Sequence, residues 1–452
     1  MISMSLTETA TVLNATYDGA DDFFYGCSTD TRTLQKGQLF IAIRGERFDG
    51  HDYLANAKQQ GAVAALVEKT VNQPLAQIRV NDSRQAMGEL AGHWRARFRI
   101  PLVAVTGSNG KTTVKEMLGS ILAQKAPVLT TRGNLNNDIG VPLTLFGLGD
   151  EHRYAVIEMG ANHPGEISWL SRLARPSVAV ITQCAPAHLE GFGSIEGVAK
   201  GKAEIYEGLL DDGVAIINAD DDYAGLWYEK IGDSKTISFG LGSAADITAI
   251  EINYLTADGM QSFSLVTPVG KTRIQLALPG RHNIMNALAA AACASALNID
   301  IDTIKTGLEQ LQPGKGRLQI KPGIKGLTIL DDTYNANPVS LQAAIDVMSL
   351  YQGEHWLVLG DMGELGVDAR ALHADAGELA KQKGVKRLFG LGPLSEAAVG
   401  AFADGAEHFE DMDSLIERLK SLAGENIIML AKGSRAMQME RIVNALQESR
   451  TC

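Results

Sequence analysis

Cysteine is scarce. The chain of 452 residues has four cysteines, Cys27, Cys184, Cys293 and Cys452, and no two lie close in sequence. That spacing leaves no zinc knuckle, CxxC redox pair or disulfide framework to be read, and it fits a reducing compartment. Positive charge is short as well. Lys and Arg number 41 against 53 Asp and Glu, a net charge of −12. A general nucleic-acid or anionic-membrane binder needs a basic face, so neither partner is expected, although a local cationic pocket for a nucleotide stays compatible. Long apolar runs are missing too. The longest uncharged one, Ile284 to Leu297, reaches about 14 residues, whereas a membrane span needs about 20. The opening segment MISMSLTETATVLNATYDGADD has no basic n-region and no apolar h-region. No signal peptide or membrane insertion is expected, and the cytoplasm is the expected compartment.

What is present is length and glycine. At about 150 residues per domain, the chain predicts two or three domains. Glycine makes up 47 of the 452 residues, and many glycines sit at the ends of apolar runs, where strand-to-helix turns need them. Leu102–Thr106 reads as a buried strand. After a glycine loop, Val114, Met117, Leu118, Ile121 and Leu122 follow the spacing of one helix face. Tyr154–Glu158, 178–182 and Val214–Asn218 repeat the short buried strand, so an α/β fold with a mostly parallel sheet covered on both faces is predicted. Between 247 and 278 the pattern alternates around short turns, which predicts a small antiparallel patch. A helix is predicted from near His282 to Leu297. The Pro-, Gly- and Lys-rich segment 311–326 is the best linker. Beyond it LTILDD, HWLVLGD, RLFGLG and NIIMLAKG restart the strand–helix alternation. Three domains are therefore expected, at 1–82, 83–313 and 314–452.

The strongest local motif is Thr106-Gly-Ser-Asn-Gly-Lys-Thr-Thr113, with a strand running in and a helix running out. Glycines let backbone N–H groups turn toward phosphate oxygens, and the helix N-terminus favours an anion. Lys111 supplies a charge for the β/γ phosphates, and the Thr112 hydroxyl suits a magnesium ligand. The residue five before Gly110 is Val105, so the loop is shorter than GxxxxGK[ST]. Glu158 ends a buried strand beside this loop and suits a magnesium ion, or else caps a neighbouring helix. Lys202 could equally be a solvated helix lysine, His188 a structural histidine, and Asn283 either an adenine contact or a helix N-cap.

Taken in order, TGSNGKTT, IEMGANHPGEI, AHLEGFGS…KGKAEIY, GRHNIMNALAA, GRLQ and DDTYNANP resemble the ATP-dependent Mur ligases of peptidoglycan synthesis, over the whole chain. TTRGNLNNDIGVP, DDTYNANP, LGDMGELG and AKGSRAM are most similar to the members that join D-alanyl-D-alanine to UDP-N-acetylmuramoyl-tripeptide, and no DNPR-type segment of the diaminopimelate-adding sibling is found.

The resemblance implies a UDP-binding first domain, an ATPase second domain and a Rossmann-like third, acting as a monomer. It implies ATP and two Mg²⁺ as cofactors, with UDP-N-acetylmuramoyl-tripeptide and D-alanyl-D-alanine as substrates. By similarity the ATP-binding residues are Gly107, Ser108, Asn109, Gly110, Lys111, Thr112, Thr113, Asn283, Arg317 and Asp332. Thr112 and Glu158 would hold one magnesium, and His188 with a carbamylated Lys202 the second. Lys111, Glu158, His188 and Lys202 would carry the catalysis. Ser28, Asp30, Arg32, Arg44, Gly45 and Arg47 would take the UDP-sugar, Asn137 and Asp138 would bind substrate, and Lys432, Ser434 and Arg435 would contact the incoming dipeptide or the peptide chain. Closure of the third domain on Gly314-Lys-Gly316 would exclude water.

Rival readings are another ligase of this fold (the diaminopimelate-adding, murein-recycling or folylpolyglutamate enzymes) and a non-catalytic ATP-binding scaffold. The carbamate assignment predicts that Lys202→Ala abolishes turnover while ATP still binds. Full wild-type activity with Lys202 unmodified by intact mass would contradict it.

Overall fold

Short, wholly apolar runs become strands buried on both faces, and most are carried to the next by a helix. In the computed structural model the described residues are 1–46, 48–186, 189–242, 244–255 and 260–448. Near the N-terminus, Cys27–Ser28, Leu39–Ile41, Ala64–Val67 and Ala76–Arg79 form a four-stranded parallel sheet in that order. A two-stranded antiparallel ribbon, Ser3–Ser5 with Phe23–Tyr25, lies outside that sheet. The helix Ser83–Ala96 follows, and the Asp82 side chain caps it by accepting from the Arg84 and Gln85 amides. Leu39, Ile41, Leu66 and Ile78 share one continuous apolar core with Met87, Leu90 and Trp94 of this helix and with Ala104 and Ile157 of the next sheet. Apolar packing therefore runs unbroken across residue 82.

The central sheet has six parallel strands in the order Lys235–Phe239, Val214–Asn218, Val178–Ile181, Leu102–Thr106, Tyr154–Glu158, Val128–Thr130. Its topology reverses direction at Leu102–Thr106. The chain first goes to one side of this strand, then crosses to the other with Val178–Ile181. Such a switch point opens a crevice at the carboxyl ends of the strands. Val103, Val105, Val156, Val180 and Ile216 face the phosphate-loop helix, Lys111–Ala123, and the helix Arg281–Ala296. The second of these is buried from Ala287 through Ala294, and its alanines keep it close to the sheet. The expected antiparallel patch is Thr248–Asn253, Gln261–Thr267 and Gly270–Leu276.

The third sheet runs Gln319–Pro322, Thr328–Asp332, Ile427–Lys432, Glu354–Gly360, Arg387–Leu391, Ala406–Phe409. Its first pair is antiparallel and the others are parallel. The four strands expected here are present. The segment read as a linker is not linker throughout, because Gln319–Pro322 pairs as an edge strand, where a proline is tolerated. Among the described residues no helix is long and apolar enough to cross a membrane.

The helices Ala369–Gln382 and Ser395–Phe402 meet at Gly377, where an added Cβ would collide with the backbone carbonyl of Ala398. A backbone obstacle cannot rotate away. Gly377→Ala is therefore expected to lower stability by about 1–3 kcal/mol in urea unfolding, the usual size of overpacking, despite the roughly 1 kcal/mol that alanine gains in a helix interior. A neutral or stabilising result would contradict this packing.

Candidate active site

A large cavity of about 1970 Å³ opens at the switch point. It is lined by the phosphate loop from Ser108 to Thr113, by Glu158, by residues 281–283 at the start of the Ala-rich helix, and by Arg317, Asp332, Lys432 and Ser434 from the third sheet's side. From the N-terminal unit and its following helix, Glu46 and Arg84 reach it.

The loop takes its shape from two glycines. Gly107 has φ 145° and Gly110 φ 83°. A side chain on Gly107 would strike the Thr182 hydroxyl, and one on Gly110 would strike Asn286. Gly110 is the N-cap of Lys111–Ala123 and offers no side-chain cap. The first-turn N–H groups thus lack the usual N-cap side-chain acceptor among the described residues and present an anion site. Lys111 Nζ folds back and donates to the Gly107 carbonyl at 2.7 Å and, less closely, to the Ser108 carbonyl at 3.4 Å. Burial pulls its pKa below the usual lysine value, and the charge of Glu158 opposes that.

Glu158 is 2% exposed at the end of its strand. Its Oε1 accepts from Asn136 Nδ2 at 2.8 Å, and its N–H donates to the Thr131 hydroxyl at 2.9 Å. Its Oε2 is buried without a hydrogen bond among the described residues, with Lys115 Nζ 3.9 Å away. A carboxylate held by one oxygen and bare at the other, on the same cavity as the Thr112 hydroxyl, suits a hard divalent cation. Among the described residues no group of three His, Cys, Asp or Glu could hold a metal without other ligand types.

Lys202, on the helix Ile195–Ala203, is fully buried. Its amine has no hydrogen-bond partner among the described residues and lies 5.5 Å from the Phe192 ring centre. Burial first, and the nearby Lys111 charge second, lower its pKa to about 7. It is not among the cavity-lining residues. A wholly buried lysine is not the solvated helix-face residue that the sequence left open. His188 and Arg47 lie outside the described residues.

Several of the residues expected to make contacts hold partners within the protein here. Asn283 donates to the Pro279 carbonyl at 2.8 Å and accepts from Asn286 at 3.1 Å. Lys432, 2% exposed, pairs with Asp332 and donates to the Asn335 carbonyl. Parallel register sets Asp332 directly beside Lys432. Arg317 stacks on Tyr334, 4.1 Å from the ring centre. Ser434 and Arg435 line the cavity, with Arg435 bonded to Glu440 at 2.9 Å. Asn137 and Asp138 line it too, the first accepting from the Gly140 N–H and the second paired with Arg84 at 2.9 Å.

Ser28, Asp30, Arg32, Arg44 and Gly45 do not line the cavity. Asp30 pairs with Arg32 at 2.7 Å, and Arg44 lies 3.6 Å from Asp49. Sequence reasoning missed Asn136, the amide that actually orients Glu158. The run Asn134-Leu-Asn-Asn-Asp138 signalled a polar loop, but spacing alone does not say which amide reaches the carboxylate.

Three family models match in series: "Mur ligase family, catalytic domain" at residues 24–95, "Mur ligase middle domain" at 105–294, and "Mur ligase, glutamate ligase domain" at 316–435. The UDP-N-acetylmuramoyl-tripeptide–D-alanyl-D-alanine ligase of Escherichia coli (strain K12) is 47% identical, with all of both chains covered. The Bacillus subtilis (strain 168) protein of the same name is 35% identical, over 97% of this chain and 96% of its own. Among solved structures, a MurF from Acinetobacter baumannii superposes with a TM-score of 0.93 at 37% identity, covering 99% of this chain and 100% of that one. The Thermotoga maritima MurF in complex with ADP gives 0.84 at 28% identity, covering 93% and 96%. With an uncapped phosphate loop and a strand-end carboxylate on one crevice, and a full-length relative at nearly half identity, the chain belongs to the Mur ligase family.

Proposed function

We propose that this chain is an ATP-dependent peptide ligase that joins D-alanyl-D-alanine to UDP-N-acetylmuramoyl-tripeptide, giving the pentapeptide precursor of peptidoglycan. The observation that carries the reading is the shared cavity, where the phosphate loop and Glu158 meet residues of the third sheet. The full-length relatives that bear this activity in their names support the choice of substrates. We assign residues 1–82 to the UDP-sugar, 83–313 to ATP and 314–452 to a Rossmann-like ligase domain that adds nucleotide contacts through Arg317 and Asp332. A reaction using ATP and a UDP-linked precursor belongs in the cytoplasm, and a cavity built from one chain suits a monomer.

A carboxylate has no leaving group, so it does not form an amide directly. In the proposed route an oxygen of the tripeptide's terminal carboxylate bonds to the γ-phosphorus, and the bond to ADP breaks. The dipeptide amine, having lost its ammonium proton, then attacks the acyl carbon. The C–O bond breaks, and phosphate departs with that oxygen and with the second proton shed by the nitrogen. The phosphate-loop N–H groups and Lys111 are fixed donors for the negative charge that develops in both steps. Lys111 would exchange its bonds to the Gly107 and Ser108 carbonyls for phosphate oxygens.

Two magnesium ions, one held by Thr112 and Glu158 and one by His188 and Lys202, would supply charge neutralisation on the phosphates. The bare Oε2 of Glu158 supports the first site. For the second, we propose that Lys202 carries a carbamate. Its neutral amine adds to dissolved CO₂, forming an N–C bond and releasing a proton. A buried amine with no partner and a lowered pKa is suited to that addition, because only the unprotonated form is nucleophilic.

Phosphate release from ATP tests the reading. It is expected only when UDP-N-acetylmuramoyl-tripeptide and D-alanyl-D-alanine are both present, with no turnover of folate plus glutamate. Equal release without the dipeptide would overturn it.

A further inference from the structure

Four side chains brace the phosphate loop. Ser108 exchanges hydrogen bonds with Ala185 at 2.9 and 3.0 Å. The Thr182 hydroxyl donates to the Asn109 carbonyl at 2.5 Å. Asn286 stands against Gly110. These three belong to the central unit. The fourth brace crosses from the third: Asn337 Nδ2 donates to Asn109 Oδ1 at 2.7 Å, over a separation of 228 residues. A longer return contact, Asn109 Nδ2 to Asn337 Oδ1, measures 3.5 Å.

Asn337 has a second duty as the N-cap of the helix Pro338–Met348. Its Oδ1 accepts from the Ser340 N–H at 2.8 Å, and the Ser340 hydroxyl accepts from the Asn337 N–H at 3.0 Å. Capping uses the side-chain oxygen alone, and a serine would serve. The amide hydrogen given to Asn109 is the part of this side chain that helix capping does not explain. The capping box and Pro338 hold the donor on a rigid base. Nearby, the same seam is made by packing, with Gly280 so close to Val347 that an added Cβ would stand 2.5 Å from Cγ2.

We infer that Asn337 is a positioning residue, which registers the third unit against the phosphate loop through Asn109. Resting on the ligase reading above, the bridge sets the third unit, whose sheet carries Asp332 and Lys432, at a fixed distance from the phosphate loop. The acyl carbon and the incoming amine come from opposite sides of this seam, and misplacement by an ångström is costly to such a step.

The test is a double-mutant cycle in the full-length protein with Asn337→Ser, which keeps the cap but cannot reach Asn109, and Asn109→Ala, which removes the bridge from the other side. Two quantities are read. Backbone hydrogen exchange of residues 107–113, without ligands, is expected to quicken about three- to tenfold in each single variant, the worth of one neutral hydrogen bond. The double variant should exchange no faster than the faster single one. In the phosphate-release assay, Asn337→Ser is expected to lower kcat by a similar factor with the KM for D-alanyl-D-alanine changed less than about twofold and an unchanged melting temperature. Wild-type exchange and kcat in Asn337→Ser, or effects that multiply in the double variant, would overturn the inference. If the wild type released no phosphate with the dipeptide, the ligase reading would fail, and the exchange measurement would still decide the bridge.

Discussion

A helix that begins without a cap is the constraint from which the site follows. Lys111–Ala123 starts at Gly110, which has no side chain to cap it, and among the described residues no side chain is seen to accept from its first-turn N–H groups. Left so, those donors favour an anion. The loop can hold this form because Gly107 and Gly110 fit where no side chain would, against Thr182 and Asn286. The switch point of the central sheet places the same loop at the mouth of the crevice, with Glu158 on the neighbouring strand.

The second feature of the site is polarity buried without satisfaction. Glu158 Oε2 and Lys202 Nζ are both enclosed without hydrogen-bond partners among the described residues. Each such group costs about 1–3 kcal/mol or more if charged, so folding alone does not account for them. Buried groups that break the rules of packing are expected where chemistry requires them. Asn136 supports this view, because it binds one oxygen of Glu158 and leaves the other bare. By contrast, Lys432 and Asp332 satisfy each other. They make the third sheet's side of the cavity a braced wall, and the more exposed Arg435 pairs with Glu440.

Much of this was legible in the sequence where one physical rule dominated. The strands Leu102–Thr106 and Tyr154–Glu158 are continuous apolar runs, as strands buried on both faces must be. The phosphate loop combined glycine spacing with a strand before and a helix after. Gln319–Pro322 was hidden because an edge strand tolerates Lys and Pro, which otherwise signal a linker. Ala406–Phe409 was hidden because it is short and half-buried. Contacts made by tertiary register were harder still. Nothing local shows that Lys432 lies beside Asp332, or that Asn337, which reads as a helix cap before proline, also reaches Asn109.

Carboxyl activation is tested most directly by isotope transfer. With ¹⁸O in the terminal carboxylate of the tripeptide, one labelled oxygen should appear in the released phosphate for each peptide bond formed. Phosphate that carries no label, at a normal rate of ligation, would contradict the acyl phosphate and the role given to this cavity.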